Sequence, residues 1–300
     1  MILARPGGFQ VLHAINYEAP TTLDEAVSIL KTHGENARPL CGGTDLIIQL
    51  RAGVRRTEHI VDVKKIKELQ VLSFDAKKGL RLGAAVPCIE IHESDVMRRH
   101  YPGLTEAAHI IGSLQIQNRA SVGGNLCNGS PAGDATPALI ALGARARIVG
   151  PNGEREVPVE DFVVSPGRTV LKPGELLVEL LVPPPPPHSS DAYLRFIPRN
   201  EMDIAVVGVG AALTLDGDKV KAARIALGAV APTPILAGKA ADALIGRKLD
   251  DAALEAAGRA ASQACSPIDD MRGTAEFRLH IAAVLTRRAL SIAAERAKKN

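Results

Sequence analysis

Three things are scarce in this chain of 300 residues. It has no tryptophan, and Phe and Tyr make up the whole 3% of aromatic residues. Single-stranded nucleic acid is bound on aromatic platforms along a basic groove. Here the 36 basic and 33 acidic residues form no basic run with interleaved aromatics, so nucleic-acid binding is not expected. Cysteine is also scarce: Cys41, Cys88, Cys127 and Cys265 form no C-x-x-C pair and match no zinc or iron–sulfur spacing. His92, His100 and His109 lack a spacing such as H-E-x-x-H, so no bound metal is expected. Free thiols in a chain this long fit a reducing compartment, and the cytoplasm is the expected location. Long apolar runs are missing too. No segment approaches the roughly 18 apolar residues of a membrane span, and Met1–Pro6 lacks a signal-peptide core. No nucleophile–base pair or paired carboxylates stand out, so no catalytic residue is assigned.

What is present supports globular cores. Hydrophobic residues reach 46%, and with few aromatics the cores must be Ala, Val, Ile and Leu. The length suits about two domains. The run Pro183–Pro187 reads as a stiff polyproline spacer and marks the boundary between 1–183 and 184–300. Residues 1–20 read as an extended opening segment. Thr22, Glu25 and Gly34 bracket a capped helix, Leu23–His33. Strands are expected at 59–63 and 145–149, and a hairpin from 71–74 to 80–86. Helices are expected at 91–101 and 104–111, punctuated by Pro102-Gly103. Val157–Phe162 and Leu176–Val182 read as further strands. In the second half, 193–197, 203–215 and 220–230 read as a β-meander. Gly208-Val209-Gly210 is not a dinucleotide fingerprint, because Leu213 holds the third glycine position and Asp216-Gly217 signals a hairpin at once. Helices at 250–265 and 274–298 close the chain.

Two glycine segments carry the chemistry. Ser121–Asp134 holds four glycines, two asparagines and two serines, and leads into the apolar run from Ala135. It reads as a glycine-rich loop feeding a buried helix, the recipe for an anion site: glycines admit positive φ and close approach, and exposed N–H groups face the anion. Arg38–Leu50 repeats the pattern: a short strand, then Gly42-Gly43-Thr44-Asp45, then an apolar helical run. The two could hold opposite sides of one diphosphate.

These residues carry a resemblance. Cys41-Gly42-Gly43-Thr44-Asp45-Leu46 resembles the A-G-G-T-D-L loop of the molybdenum hydroxylase flavoproteins. Ser121-Val122-Gly123-Gly124-Asn125 resembles their S/T-I-G-G-N loop, and Ser130-Pro131-Ala132-Gly133-Asp134 the S-P-A-x-D that follows. Pro267-Ile268-Asp269-Asp270-Met271-Arg272-Gly273-Thr274-Ala275-Glu276-Phe277-Arg278 resembles their C-terminal P-I-D-D-x-R-G-S-A-E-Y-R. The resemblance covers nearly the whole chain and points to the FAD-binding medium subunit of enzymes like carbon monoxide dehydrogenase and xanthine dehydrogenase. Cys41 stands where alanine is usual, and Arg195 where lysine is frequent. Cys127 runs directly into Ser130-Pro131, so the [4Fe–4S] loop of the 4-hydroxybenzoyl-CoA reductase branch is absent.

The resemblance implies an α+β fold. A PCMH-type, vanillyl-alcohol-oxidase-like FAD-binding domain would have two α/β subdomains, about 1–60 and 61–183. A C-terminal flavoprotein domain would carry a three-stranded antiparallel sheet and helices. It implies FAD held by Arg38, Pro39, Leu40, Cys41, Gly42, Gly43, Thr44 and Asp45 from one side. From the other side come Ser121, Val122, Gly123, Gly124, Asn125, Asn128 and Ser130. Asp134 would bind FAD further along, rather than only cap a helix, and Leu177, Arg195 and Ile204 would lie along the isoalloxazine and adenine. It also implies a molybdopterin-binding large subunit, a small subunit with two [2Fe–2S] clusters, a doubled heterotrimer and an external electron acceptor. Two rivals stand beside it: a self-sufficient oxidase related to vanillyl-alcohol oxidase, and a nucleotide-binding scaffold subunit without redox work.

Overall fold

The computed structural model describes residues 14–300. Most of the expected opening segment, residues 1–13, lies outside the described residues. The chain begins with β1 (Asn16–Glu18), α1 (Leu23–His33), β2 (Ala37–Leu40), α2 (Leu46–Arg51) and β3 (His59–Asp62). Helix α1 starts where Thr22 Oγ1 accepts the Glu25 N–H and stops at Gly34, whose φ of +53° suits glycine. The reciprocal half of the capping box is shifted by one residue, because Glu25 accepts from the Thr21 N–H at 2.9 Å. The strands form a parallel sheet in the order β1-β3-β2, with Asn16 and Ala37 both opposite His59.

Strands β4 (Leu72–Asp75) and β5 (Gly79–Gly83) form the expected hairpin, although β5 ends at Gly83 instead of 86. The helix expected at 91–101 starts earlier and breaks. It is α3 (Cys88–Glu93) and α4 (Asp95–His100), with the Ser94 hydroxyl accepting the Met97 N–H to restart the second. Pro102 and Gly103 do not separate helices but open α5 (Pro102–His109), where proline loses no N–H bond. There follow α6 (Leu114–Gln117), α7 (Val122–Asn128), α8 (Ala135–Ala141), β6 (Arg145–Gly150), β7 (Gly153–Pro158), β8 (Val163–Ser165), β9 (Arg168–Thr169) and β10 (Leu176–Val182). The strand expected at 157–162 is the end of β7 running into a 3₁₀ turn, Val159–Asp161. A five-stranded antiparallel sheet has the order β4-β5-β10-β6-β7.

The expected meander is β11 (Ser189–Phe196), β12 (Val207–Asp216) and β13 (Lys219–Gly228). The sheet is not three-stranded: the two-residue β14 (Ile235–Leu236) pairs with β13 and makes four. Helices α9 (Gly238–Asp242), α10 (Asp251–Gln263) and α11 (Ala275–Ala297) complete the chain. Alanine replaces aromatic bulk here. Ala257, Ala261, Ala282, Ala289 and Ala293 are buried in this half's core, and a Cβ on Gly258 would lie 2.9 Å from the Ala283 carbonyl oxygen. Among the described residues no helix is long and apolar enough to cross a membrane.

The halves are packed together. The proline run is no free spacer: Tyr101 Oη donates to the Pro183 carbonyl at 3.0 Å, and Ser189 Oγ to that of Pro186 at 2.5 Å. Glu106 of α5 accepts the Tyr193 N–H at 2.9 Å and pairs with Arg296 of α11. Gly210, one of the glycines rejected as a fingerprint, seats α8 on the meander, since a Cβ on it would lie 2.4 Å from the Pro137 carbonyl oxygen.

Candidate functional site

The fold brings the two glycine segments to one cleft of about 580 Å³. Arg38, Pro39, Leu40, Cys41, Gly42, Gly43, Thr44 and Asp45 line it from one segment. Ser121, Gly123, Gly124, Asn125 and Asn128 line it from the other, and Leu177 contributes from β10. Five expected residues do not line it. Val122, the first residue of α7, is buried, and Ser130 accepts the Ala132 N–H at 3.2 Å in a turn. Ile204 is 51% exposed elsewhere on the surface. Asp134 and Arg195 form a buried ion pair of 2.8 Å.

The second segment is a loop only from Gly129 to Asp134. Val122–Asn128 is helix α7, opened by Ser121 Oγ accepting the Gly124 N–H at 3.0 Å and closed by Gly129 at φ +64°. Gly123 here and Gly42 in the first segment serve packing rather than positive φ. A Cβ on Gly123 would lie 2.5 Å from the Ala84 backbone, and one on Gly42 only 2.0 Å from the Arg119 carbonyl oxygen. Gly43 does need the left-handed region, at φ +77°. Gly124 looks toward the opposite wall: a Cβ there would meet Ser121 Oγ at 3.0 Å and Cys41 Cβ at 3.9 Å.

Polar contacts fix both walls. Gln49 Nε2 donates to Asn128 Oδ1 at 2.9 Å, joining α2 to the end of α7. Asn125 Oδ1 accepts the Ala135 N–H at 3.2 Å and so caps α8. Lys64 Nζ donates to the Cys41 carbonyl at 3.1 Å and to Asp62 Oδ1 at 2.7 Å, while Tyr17 Oη donates to Asp62 Oδ2 at 2.5 Å. This support was missed in the sequence; its one signal was an aspartate at the end of an otherwise plain strand.

Asp134 occupies the position before α8 but makes no capping bond. Its carboxylate accepts from Tyr193 Oη at 3.0 Å and from Arg195 Nη1 at 2.8 Å. Burial pushes its pKa up to about 6, with Arg195 and Tyr193 pulling the other way. Asp134 therefore ties α8 to β11.

The cleft is short of anions. Arg38, Arg55, Arg168 and Lys172 line it, against Glu35, Asp45 and Glu175. Glu175 is engaged by Arg155 at 2.7 Å, and burial raises the pKa of Asp45. Among the described residues, Arg38 Nε is buried without a hydrogen-bond partner, and burial and Arg55 both lower the pKa of its guanidinium. An unpaired buried donor is costly, and a phosphate oxygen satisfies it strongly. Burial holds the Cys41 thiol at about 11 and Cys127 higher still, so both are neutral small lining groups.

Such a cleft, formed by two close-packed glycine walls and a guanidinium whose Nε has no partner among the described residues, suits a diphosphate-containing cofactor. Residues 13–185 match the family described as the FAD binding domain in molybdopterin dehydrogenase, and 192–293 the CO dehydrogenase flavoprotein C-terminal domain. The chain belongs to the family of FAD-binding subunits of the molybdopterin dehydrogenases. It is 36% identical over 278 residues to the xanthine dehydrogenase FAD-binding subunit of Escherichia coli O157:H7, covering 92% of this chain and 94% of that one. It is 34% identical to the carbon monoxide dehydrogenase medium chain of Afipia carboxidovorans, over 98% and 99% of the two chains. Among solved structures, reconstituted CO dehydrogenase from Oligotropha carboxidovorans superposes with a TM-score of 0.91 at 33% identity, covering 96% of this chain and all of that one. FAD is the cofactor, the chain is an oxidoreductase subunit, and the cleft residues fit the group.

Proposed function

We propose that this chain is the electron-transfer subunit of a molybdenum hydroxylase complex. In this reading a molybdopterin-binding large subunit oxidises the substrate. A small subunit delivers the electrons through [2Fe–2S] clusters, and an external acceptor removes them. The assembly is a doubled heterotrimer in the cytoplasm. Bound FAD supplies a redox centre able to exchange electrons singly or in pairs. The protein's part is to bind and orient. Backbone close to Gly42, Gly43, Gly123 and Gly124 faces the diphosphate, and Arg38 donates to it. Gln49–Asn128 holds the walls at a fixed spacing, and Lys64 holds the Cys41 carbonyl. Leu177 offers an apolar surface to a ring. Asp134 and Arg195 are assigned to positioning, through the α8–β11 tie. The PCMH-type division of the first half agrees with its two larger sheets, one parallel and one antiparallel.

The observation that carries this reading is the convergence of both glycine segments on one cleft containing the unpaired Arg38 Nε. The purified chain is expected to show a flavin spectrum without an iron–sulfur shoulder. It should accept electrons from dithionite and hydroxylate nothing until both partner chains are added. Substrate oxidation by the chain alone would favour the self-sufficient oxidase. Protein purified without flavin, and unable to take it up, would favour the scaffold.

A further inference from the structure

We propose that Glu18, His33 and His59 form a binding site for one divalent cation of the zinc class, separate from the flavin cleft. Three elements bring them together: Glu18 ends β1, His33 ends α1 and His59 begins β3. One ligand atom from each lies within 4.8 Å of the other two. His59 Nδ1 stands 3.1 Å from Glu18 Oε1, and the His33 ring centroid lies 3.5 Å from that of His59. Two imidazoles and one carboxylate are a ligand set zinc takes in open sites, where three protein groups leave a fourth position to water. Imidazole also selects against calcium and magnesium, which prefer all-oxygen shells.

The site is reachable and partly desolvated. The His59 side chain is 14% exposed and that of Glu18 36%, so a cation can enter from solvent. The imidazoles stack at 21° to one another. Ligation therefore requires His33 to turn about its side-chain bonds until a ring nitrogen, not the ring face, points at the cation. His33 is in the last turn of α1, just before the helix stops at Gly34. The bound cation would staple α1 to two strands of the parallel sheet and stabilise the folded state by mass action. It would also be close to the flavin site in the chain, because Gly34 and Glu35 lie on the cleft lining. Ligands drawn from three elements have no motif spacing, so this site was not legible in the sequence.

The test uses the full FAD-loaded chain after treatment with chelator. Calorimetric titration with Zn²⁺ is expected to show one site per chain, and Zn²⁺ is expected to raise the melting temperature. Zinc-edge X-ray absorption should show two imidazole nitrogens and one carboxylate oxygen at about 2.0–2.2 Å. Glu18→Gln and His33→Ala should each weaken binding by at least about 100-fold, beyond the roughly 10–100-fold typical of outer-shell partners. Both variants should retain their flavin, which shows that they fold. His92→Ala, in the other stacked histidine pair, should change nothing. No binding at micromolar Zn²⁺, binding that survives Glu18→Gln and His33→Ala, or equal loss in His92→Ala would each overturn the site.

Discussion

The two glycine segments look alike in sequence and are built differently. Cys41–Asp45 is a true turn: Gly43 takes φ +77°, and the helix α2 that follows has no buried residue. Ser121–Asn128 is a capped helix turn, and α8 beyond it is buried along its whole length. One wall of the cleft is thus a light flap held by side chains, Lys64 and Gln49. The other is part of the core. Glycine supplies a backbone conformation at Gly43 but close backbone approach at Gly42 and Gly123. Gly124 alone presents an open face to the opposite wall.

The difference can be broken experimentally. The largest effect is expected at positions where glycine fills a packing role. Gly123→Ala puts a methyl 2.5 Å from the Ala84 backbone, and Gly42→Ala one 2.0 Å from the Arg119 carbonyl oxygen. Overpacking of this kind costs about 3 kcal/mol or more when backbone must move. Urea unfolding of the flavin-free proteins should show it in both; a loss under about 1 kcal/mol would mean the walls are softer than described.

The next effect is a pH dependence at the end of the second segment. Burial raises Asp134 from 3.8 to about 6 in the folded chain. A raised carboxyl contributes stability that is fully present below about pH 4 and lost as pH rises through 6. The loss is about 3 kcal/mol at most, from roughly two pKa units. Asp134→Asn should remove that slope, seen as a flatter melting temperature between pH 4 and 6. An unchanged slope would place the titrating group elsewhere.

Arg38→Gln should weaken FAD by about 10- to 100-fold, the effect of one charged hydrogen bond of roughly 1.5–3 kcal/mol. The flavin-free protein should not lose stability, because the buried Nε has no partner among the described residues. Equal destabilisation with and without FAD would make Arg38 structural. The smallest effect is Ser121→Ala, which removes the α7 cap for about 1 kcal/mol. The same melting-temperature assay should show that shift with little change in the first wall.

The sequence made legible whatever local chemistry decides. Thr22 and Gly34 bounded α1 to the residue, and the β-branched and leucine-rich run 176–182 is β10 as read. Helix α7 was misread because two adjacent glycines argue against a helix by about 1 kcal/mol each. The bracket of Ser121 as cap and Gly129 as stop was in fact present. The two-residue β14 was invisible because a pairing so short is set by its partner strand, not by propensity. Of the cleft lining, the contiguous residues of the glycine segments were legible in the sequence. Lys64, Arg55, Arg168 and Lys172 were not, since each comes alone from a different element. Asp134 and Arg195 were expected to hold FAD, and the structure pairs them with each other, off the cleft lining.

The central claim is that the two walls hold one FAD between them, and Gly124 is where it is most exposed to test. Gly124→Val adds branched bulk on the side facing Cys41, where a Cβ has room from the backbone but the cleft does not. Flavin content per chain, measured by absorbance after gel filtration, should fall to near zero. The melting transition of the flavin-free variant should stay within about 1 kcal/mol of the flavin-free parent, as expected for a site with side-chain rather than backbone neighbours. A Gly124→Val protein that folds and carries FAD at the parent's stoichiometry would contradict the account.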